Sequence, residues 1–437
     1  MTPSPMCSGG ADVKHVTVDL TPMLPGGANG GAKIVAQSLV REFATLAPAT
    51  QFTLLTSATS HAECAHLEAP NVHRSYVDVG GATGSMAVLR AAVRGGLNTI
   101  LPPSARTRVK NEMWRVLKRH RRRALAHAAS AGTDLIFCPF TAPYFSDARV
   151  PLVTLVHDLQ FLDLPQFFAG QMRTDRHENF LSACRLADRL ICVSEFVRQS
   201  VLRHAGLDAT RVQTIHSTTF RELRVPSDAA NLARRVLDRL GIQSSRYHLY
   251  PANVWPHKNH ALLVEALRVH LAAEPGSDLA LLCTGTPSAA SEELARLARA
   301  RLPAGRFGFA GFLSDAEFMA VLHGCRGLIF PSLYEGFGMP VLEAMALRRP
   351  VLCSDIPSLV EIASDAALLF DPHDPAAIAR AVQRLESTPA LEAELIRRGR
   401  ERVSAFGTPG DVAGHYLGAF EEVVSSRASA AATALTR

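Results

Sequence analysis

Short apolar runs alternate with helix-patterned segments along the whole chain, in two successive series. In the first series the runs are His15–Leu20, Phe52–Thr56, Val72–Val79, Leu135–Cys138, Leu152–Val156, Arg189–Val193 and Val212–Ile215. In the second they are Tyr247–Pro251, Leu279–Thr284, Arg306–Ala310, Gly327–Phe330, Val351–Ser354 and Ala367–Phe370. Runs this short, bounded by turn residues, predict strands buried on both faces. Between them, apolar positions three and four apart predict helices at Ile34–Ala47, His260–Leu271, Ala289–Ala300, Asp315–His323, Pro375–Glu386 and Leu391–Phe406. Strands alternating with helices predict an α/β chain with mostly parallel sheets. Two such series predict two doubly wound, Rossmann-like domains.

The boundaries follow from polarity. Residues 1–13 read as a disordered leader and 14–225 as the first domain. The polar stretch 226–245, which opens on Pro226, reads as a linker, and 246–408 as the second domain. A last helix over 409–425 is expected to return to the first domain, and the Ser/Ala-rich end, 426–437, reads as a frayed tail. Domains of this kind bind ligands at the carboxyl ends of their strands, so two of them facing each other predict a shared cleft.

Composition narrows the class. The 437 residues exceed one ordinary core, which agrees with two domains. The formal charge of +6 is a mild excess for this length and does not argue for nucleic acid. It is concentrated in Arg106–Arg123, where nine cations face the single acid Glu112. That segment has the pattern of a basic amphipathic helix. It fits an anionic membrane surface and a solvated helix packed on its own domain equally well. No recognised nucleic-acid module accompanies it. The eight cysteines form no C-x-x-C pair, which argues against zinc and a disulfide framework. No signal-like apolar core opens the chain and no run of 18 apolar residues crosses it, so the expected location is cytoplasmic, at most peripheral to the plasma membrane.

The stretch carrying most chemistry is Pro331–Glu361, PSLYEGFGMPVLEAMALRRPVLCSDIPSLVE. An apolar strand enters it, a glycine turn follows, and Pro340 fits the first turn of a helix. A helix start offers unpaired N–H groups and partial positive charge, which suit a phosphate. Glu335 in the turn and Glu343 in the following helix are carboxylate acceptors suited to sugar hydroxyls. An ordinary strand–turn–helix with a capping glutamate fits the same letters. Other candidates also sit just after predicted strands. His157 can donate to a hydroxyl or phosphate, and Lys258 can neutralise a leaving diphosphate. Ser194 reads as a helix N-cap. His257 and His260 lack a third ligand at metal spacing, and no D-x-D triplet is present to hold Mg²⁺. No metal and no resident cofactor are expected.

Taken together, GGANGGAK (Gly26–Lys33), HDLQFLDLP (His157–Pro165), VSEFVRQSVL (Val193–Leu202), PHKN (Pro256–Asn259), GFLSDAEF (Gly311–Phe318) and EGFGMPVLE (Glu335–Glu343) resemble the family-four retaining glycosyltransferases of the GT-B fold. The resemblance spans nearly the whole chain. It implies a metal-independent retaining hexosyltransferase that moves a sugar from a nucleotide diphosphate sugar to a glycan or lipid-linked acceptor. It points first to mannose from GDP-mannose and to cell-surface polysaccharide or lipopolysaccharide synthesis. It implies that Glu335 and the backbone of Gly336, Phe337, Gly338 and Met339 hold the hexose, and that Val341 and Leu342 lie near phosphate and ribose. Glu343 would take the ribose hydroxyls, Lys258 the diphosphate and His157 the transferred sugar. Gly30 and Gly31 would border the diphosphate, and the turn from Phe309 through Gly311 the base. The pattern departs at one point: relatives carry an arginine about six residues before the lysine, where this chain has Ala252 and Asn253, so Asn253 is the candidate donor there. A glycoside hydrolase, a GT-B sugar-nucleotide epimerase and a silent sugar-nucleotide sensor remain rivals.

Overall fold

The computed structural model describes residues 13–26, 29–78, 132–168, 170–220 and 222–435. The basic segment Arg106–Arg123 lies outside them. Seven strands form the first sheet: β1 His15–Asp19, β2 Gln51–Thr56, β3 Val72–Tyr76, β4 Leu135–Cys138, β5 Leu152–Val156, β6 Arg189–Cys192 and β7 Val212–Thr214. Their order is β3-β2-β1-β4-β5-β6-β7 and every pairing is parallel. The second sheet has six strands: β8 Tyr247–Pro251, β9 Ala280–Thr284, β10 Phe307–Phe309, β11 Gly327–Phe330, β12 Val351–Ser354 and β13 Leu368–Phe370. Its order is β10-β9-β8-β11-β12-β13, again all parallel. The apolar runs are continuous because helices cover both faces of these strands: every residue of β4, β5, β9, β11 and β12 is buried.

Strand order reverses between β1 and β4 in the first sheet and between β8 and β11 in the second. At these two points the loops after neighbouring strands diverge and leave a crevice. The glycine loop follows β1, the Lys258 segment follows β8, and the Glu335–Glu343 segment follows β11.

Three stretches differ from the sequence reading. The expected linker 226–245 holds a helix, Ala229–Arg239, whose Ala229, Ala233, Val236 and Leu237 are buried against the helix Asp315–Gly324. Its charged residues conceal that stripe in the sequence. Val13, placed in the leader, is buried at the foot of the first core. The last helix runs Pro409–Leu435, past the position where a frayed tail is expected. Alanine favours continuation of the helix, and Arg427 ties it to Asp188 through an Nε–Oδ1 contact of 2.8 Å.

That last helix packs on the helix Gly31–Leu46. Phe420 meets Phe43 and Phe137 at ring distances of 5.6 and 5.2 Å. The chain therefore crosses between the two halves twice, once near 220 and once near 408. The crossings are joined: the Thr218 hydroxyl donates to the Gly407 carbonyl at 2.8 Å.

Candidate active site

A cleft of about 560 Å³ lies between the carboxyl ends of the two sheets. It brings together twelve of the fifteen residues singled out from the sequence: Gly30, Gly31, His157, Asn253, Lys258, Gly311, Glu335, Gly336, Phe337, Gly338, Met339 and Glu343. Three lie elsewhere. Val341 and Leu342 are fully buried core residues, and the Val341 N–H is spent on the Gly338 carbonyl at 2.9 Å. Neither side chain lines the cleft. Phe309 belongs to β10 and packs on the core. The wall beyond that strand is formed by Gly311, Phe312 and Leu313 instead.

The central segment is built by its glycines. Gly338 holds φ +96 and ends the turn as the N-cap of the helix Met339–Ala346. A side chain there would be strained and would press on Leu359. Pro340 is the second helical residue, where a missing N–H costs no intrahelical bond. Glu343 is the fifth, in the second turn rather than the first, and is buried. No side chain caps this helix, and its first residues, Met339 and Pro340, line the cleft, so its positive end borders that space.

Lys258 arrives from the other side of the switch point, at the end of a short 3-10 turn, Pro256–Lys258. Asn259 follows in the left-handed region at φ +61, a conformation asparagine tolerates. Its side chain does not cap the next helix; the amide donates to the carbonyls of Pro331 and Pro372 at 3.2 and 2.7 Å. That tie holds the Lys258 turn against the loop after β11. Lys258 Nζ then donates to Glu335 Oε1 at 2.5 Å, with the side chains 13% and 11% exposed. The ammonium also sits 5.5 Å from the centre of the Phe330 ring. The group assigned to the diphosphate and the group assigned to the hexose are thus partners of each other.

His257 and His260 flank the lysine, and burial first of all drives both imidazoles down to about 3. They are neutral packing groups at neutral pH, and His260 lies 4.5 Å from the Tyr250 ring. Among the described residues no three His, Cys, Asp or Glu side chains are placed to hold a metal ion. The seven described cysteines are all free and buried. Among the same residues no helix is long and apolar enough to cross a membrane.

Residues 238–402 match the family model for glycosyl transferases group 1, and residues 29–218 match the model for glycosyltransferase family 4. The two matches take in most of the chain and meet at the segment joining its two sheets. The chain belongs to the group 1, family-four glycosyltransferases. It is 30% identical over 230 residues to O-antigen chain mannosyltransferase B of Escherichia coli, covering 52% of this chain and 58% of that protein. It is 28% identical over 245 residues to the serotype-specific mannosyltransferase WbdA of Escherichia coli, covering 56% of this chain and 30% of that one. A crystal structure of HepE from Anabaena in complex with UDP and glucose superposes with a TM-score of 0.66 at 16% identity. That likeness covers 94% of this chain and 100% of the other, and it shows the shared GT-B fold.

In this family-four glycosyltransferase the two halves meet through contacts that local sequence patterns do not reveal. A Cβ on Gly336 would collide with the His157 carbonyl oxygen, so the glycine permits close approach of the opposite domain. Ser194 caps its helix by accepting from the Val197 N–H at 3.2 Å, as its position predicts. Its hydroxyl also donates to the Gly336 carbonyl at 2.6 Å. Glu361, from the second half, accepts the N–H groups of Glu195 and Phe196 at 2.7 and 2.8 Å. It also bonds His216 Nε2 at 2.7 Å. Burial alone would raise the Glu361 carboxyl. The His216 contact and the two N–H donors outweigh it and hold the group below the usual carboxylate value. The Tyr334 hydroxyl donates to Asp163 at 3.0 Å across the same seam.

His157 is fixed from within its own half. Its Nε2 lies 2.8 Å from the Pro139 carbonyl, which can only accept, so Nε2 carries the proton. Burial pushes the imidazole below its ordinary value. The neutral ring keeps Nδ1 as an acceptor beside the cleft, suited to a sugar hydroxyl.

Proposed function

We propose that the chain transfers a hexose, mannose from GDP-mannose, to a hydroxyl of a glycan or lipid-linked acceptor, with retention, in the synthesis of a cell-surface polysaccharide. The observation that carries this reading is the meeting of Lys258, Glu335, Glu343 and an uncapped helix start in one cleft between two Rossmann-like sheets. The mannosyltransferase relatives support the sugar, and the UDP- and glucose-bound fold relative supports a nucleotide-sugar donor.

In this mechanism the diphosphate enters between the helix start and Lys258, which neutralise the charge that grows on it as the C1–O bond breaks. Glu343 holds ribose hydroxyls. Glu335, released from the ammonium, accepts from hexose hydroxyls, and His157 positions the sugar from the opposite face. The acceptor oxygen attacks C1 on the face being vacated, and its proton passes to the leaving phosphate oxygen. No resident cofactor is required, since the nucleotide sugar is itself a substrate. The chain's contribution is positioning and charge stabilisation.

Incubating the purified protein with a panel of nucleotide sugars, with and without glycan and lipid-linked acceptors, tests this. Release of nucleoside diphosphate with sugar appearing on the acceptor is expected. Conversion of the donor without an acceptor would identify an epimerase, binding without turnover a sensor, and no binding at all would sink the reading.

A further inference from the structure

The missing arginine leaves a diphosphate one cation short on the second sheet, and the first sheet supplies another. Among the described residues, the cationic side chains lining the cleft are Lys258 and Lys33, and no arginine lines it. Lys33 sits in the first turn of the helix Gly31–Leu46, which follows the glycine loop. That helix also lacks a side-chain cap, and its N-cap Gly30 holds φ +53. It faces the Met339 helix directly: a Cβ on Gly31 would collide with the Met339 side chain. Two helix starts, each carrying partial positive charge, therefore point into one space, and each brings one lysine beside it.

Each lysine is balanced by a glutamate. Lys258 has Glu335. Lys33 is ion-paired with Glu63, and its Nζ donates to the Gly26 carbonyl at 3.0 Å. Glu63 accepts the Gly26 N–H at 2.9 Å, which fastens the pair to the glycine loop. The two partners differ in exposure: the Lys33 side chain is 16% exposed and Glu63 32%. Glu63 is the more open of the two, so it is the partner that can turn toward water, giving up the Gly26 N–H and leaving the ammonium in place. Carboxylate and phosphate are alternative partners for one ammonium.

We propose that Lys33 is the second cation for the donor diphosphate, taking its terminal phosphate, and that Glu63 is the anion it exchanges for that phosphate. The inference rests on the nucleotide-sugar reading above and adds a group from the opposite domain. Asn253 also lines the cleft, but its side chain is a neutral amide, whose oxygen accepts the Thr286 N–H at 2.8 Å, and it supplies no charge. A cation from the first sheet acts on the leaving group only while the two halves are together. Charge stabilisation is thereby tied to closure of the cleft.

The test is calorimetric titration of the full chain with GDP, UDP, GMP and UMP. In Lys33→Met the affinity for the preferred diphosphate should fall roughly tenfold or more, the contribution of one charge-assisted hydrogen bond. Affinity for the matching monophosphate should stay within about twofold, since that ligand lacks the terminal phosphate. Lys33→Arg should retain most of the diphosphate preference, and Glu63→Gln should bind the diphosphate several-fold tighter. An unchanged ratio of diphosphate to monophosphate affinity in Lys33→Met would overturn the assignment. So would equal loss of both with a lowered melting temperature, which would mark Lys33 as a loop fastener. A wild-type chain that binds none of the four nucleotides would overturn the donor reading itself.

Discussion

Breaking the Lys258–Glu335 pair should affect stability and turnover in separable ways. Lys258→Met leaves a carboxylate that is 11% exposed without its ammonium, and removes that ammonium from the face of the Phe330 ring. Removing one member of a buried pair costs about 3–5 kcal/mol. The lower end applies, because both side chains border an open cleft, so about 3 kcal/mol is expected. For a domain of this size that lowers the melting temperature by roughly 6–12 °C. Glu335→Gln should cost less, since a neutral amide can still accept from the lysine. The double change should recover roughly 2 kcal/mol of the summed loss, as groups in direct contact do. Turnover should not recover. Loss of the lysine removes charge stabilisation from the leaving diphosphate, which lowers kcat by roughly 10²–10³-fold. Thermal melting of the four proteins, run beside initial-rate measurements with the best donor, separates the effects. Additive melting losses, with Lys258→Met turning over within about threefold of wild type, would refute both the pairing and the role drawn from it.

Gly336→Ala should hold the two halves apart, because its methyl group falls on the His157 carbonyl oxygen. Far-ultraviolet dichroism should stay unchanged while turnover drops more than about 100-fold, as misplacement of reacting groups by an ångström does. Small-angle scattering should show a larger radius of gyration. Glu361 ties the halves through a carboxylate held below its ordinary value. Its stabilisation is therefore complete above the unfolded carboxyl value of about 4.3 and is lost as pH falls through the lower folded value. The melting-temperature gap between wild type and Glu361→Gln should be present at neutral pH and close in acid as the carboxylate takes up its proton, and a gap of unchanged size in acid would contradict this.

Much of this architecture was legible because buried parallel strands are written as apolar runs, and because glycine, proline and glutamate at fixed offsets specify one turn. β11 and the Met339 helix are examples. The helix Ala229–Arg239 was not legible: its three arginines and Asp238 outweigh a stripe of two alanines, a valine and a leucine. Val341 and Leu342 stand at positions where the resemblance places phosphate, but their side chains are consumed by the core. The pairings that shape the site were hidden for another reason. Lys258 with Glu335, Lys33 with Glu63, and Glu361 with the start of the Glu195 helix each join segments that follow different strands. Periodicity reports which face of an element is buried and carries no information about which loop a side chain will meet. The departure at Ala252–Asn253 was the one visible signal that a cation had to come from elsewhere, and Lys33 lay in the quoted glycine motif.

The hydrogen bond between Thr218 and Gly407 has a mechanical consequence. A single tether lets two bodies swivel and twist about any axis. Two tethers fastened side by side act like adjacent pins of a hinge, leaving one easy rotation and resisting torsion across it. The residues at such a joint absorb the backbone change, and Gly407, at φ +68, stands on one of the two tethers. Opening the cleft then retraces closing it. The His157 carbonyl returns to the same spot on Gly336 each time, with no search over relative orientation.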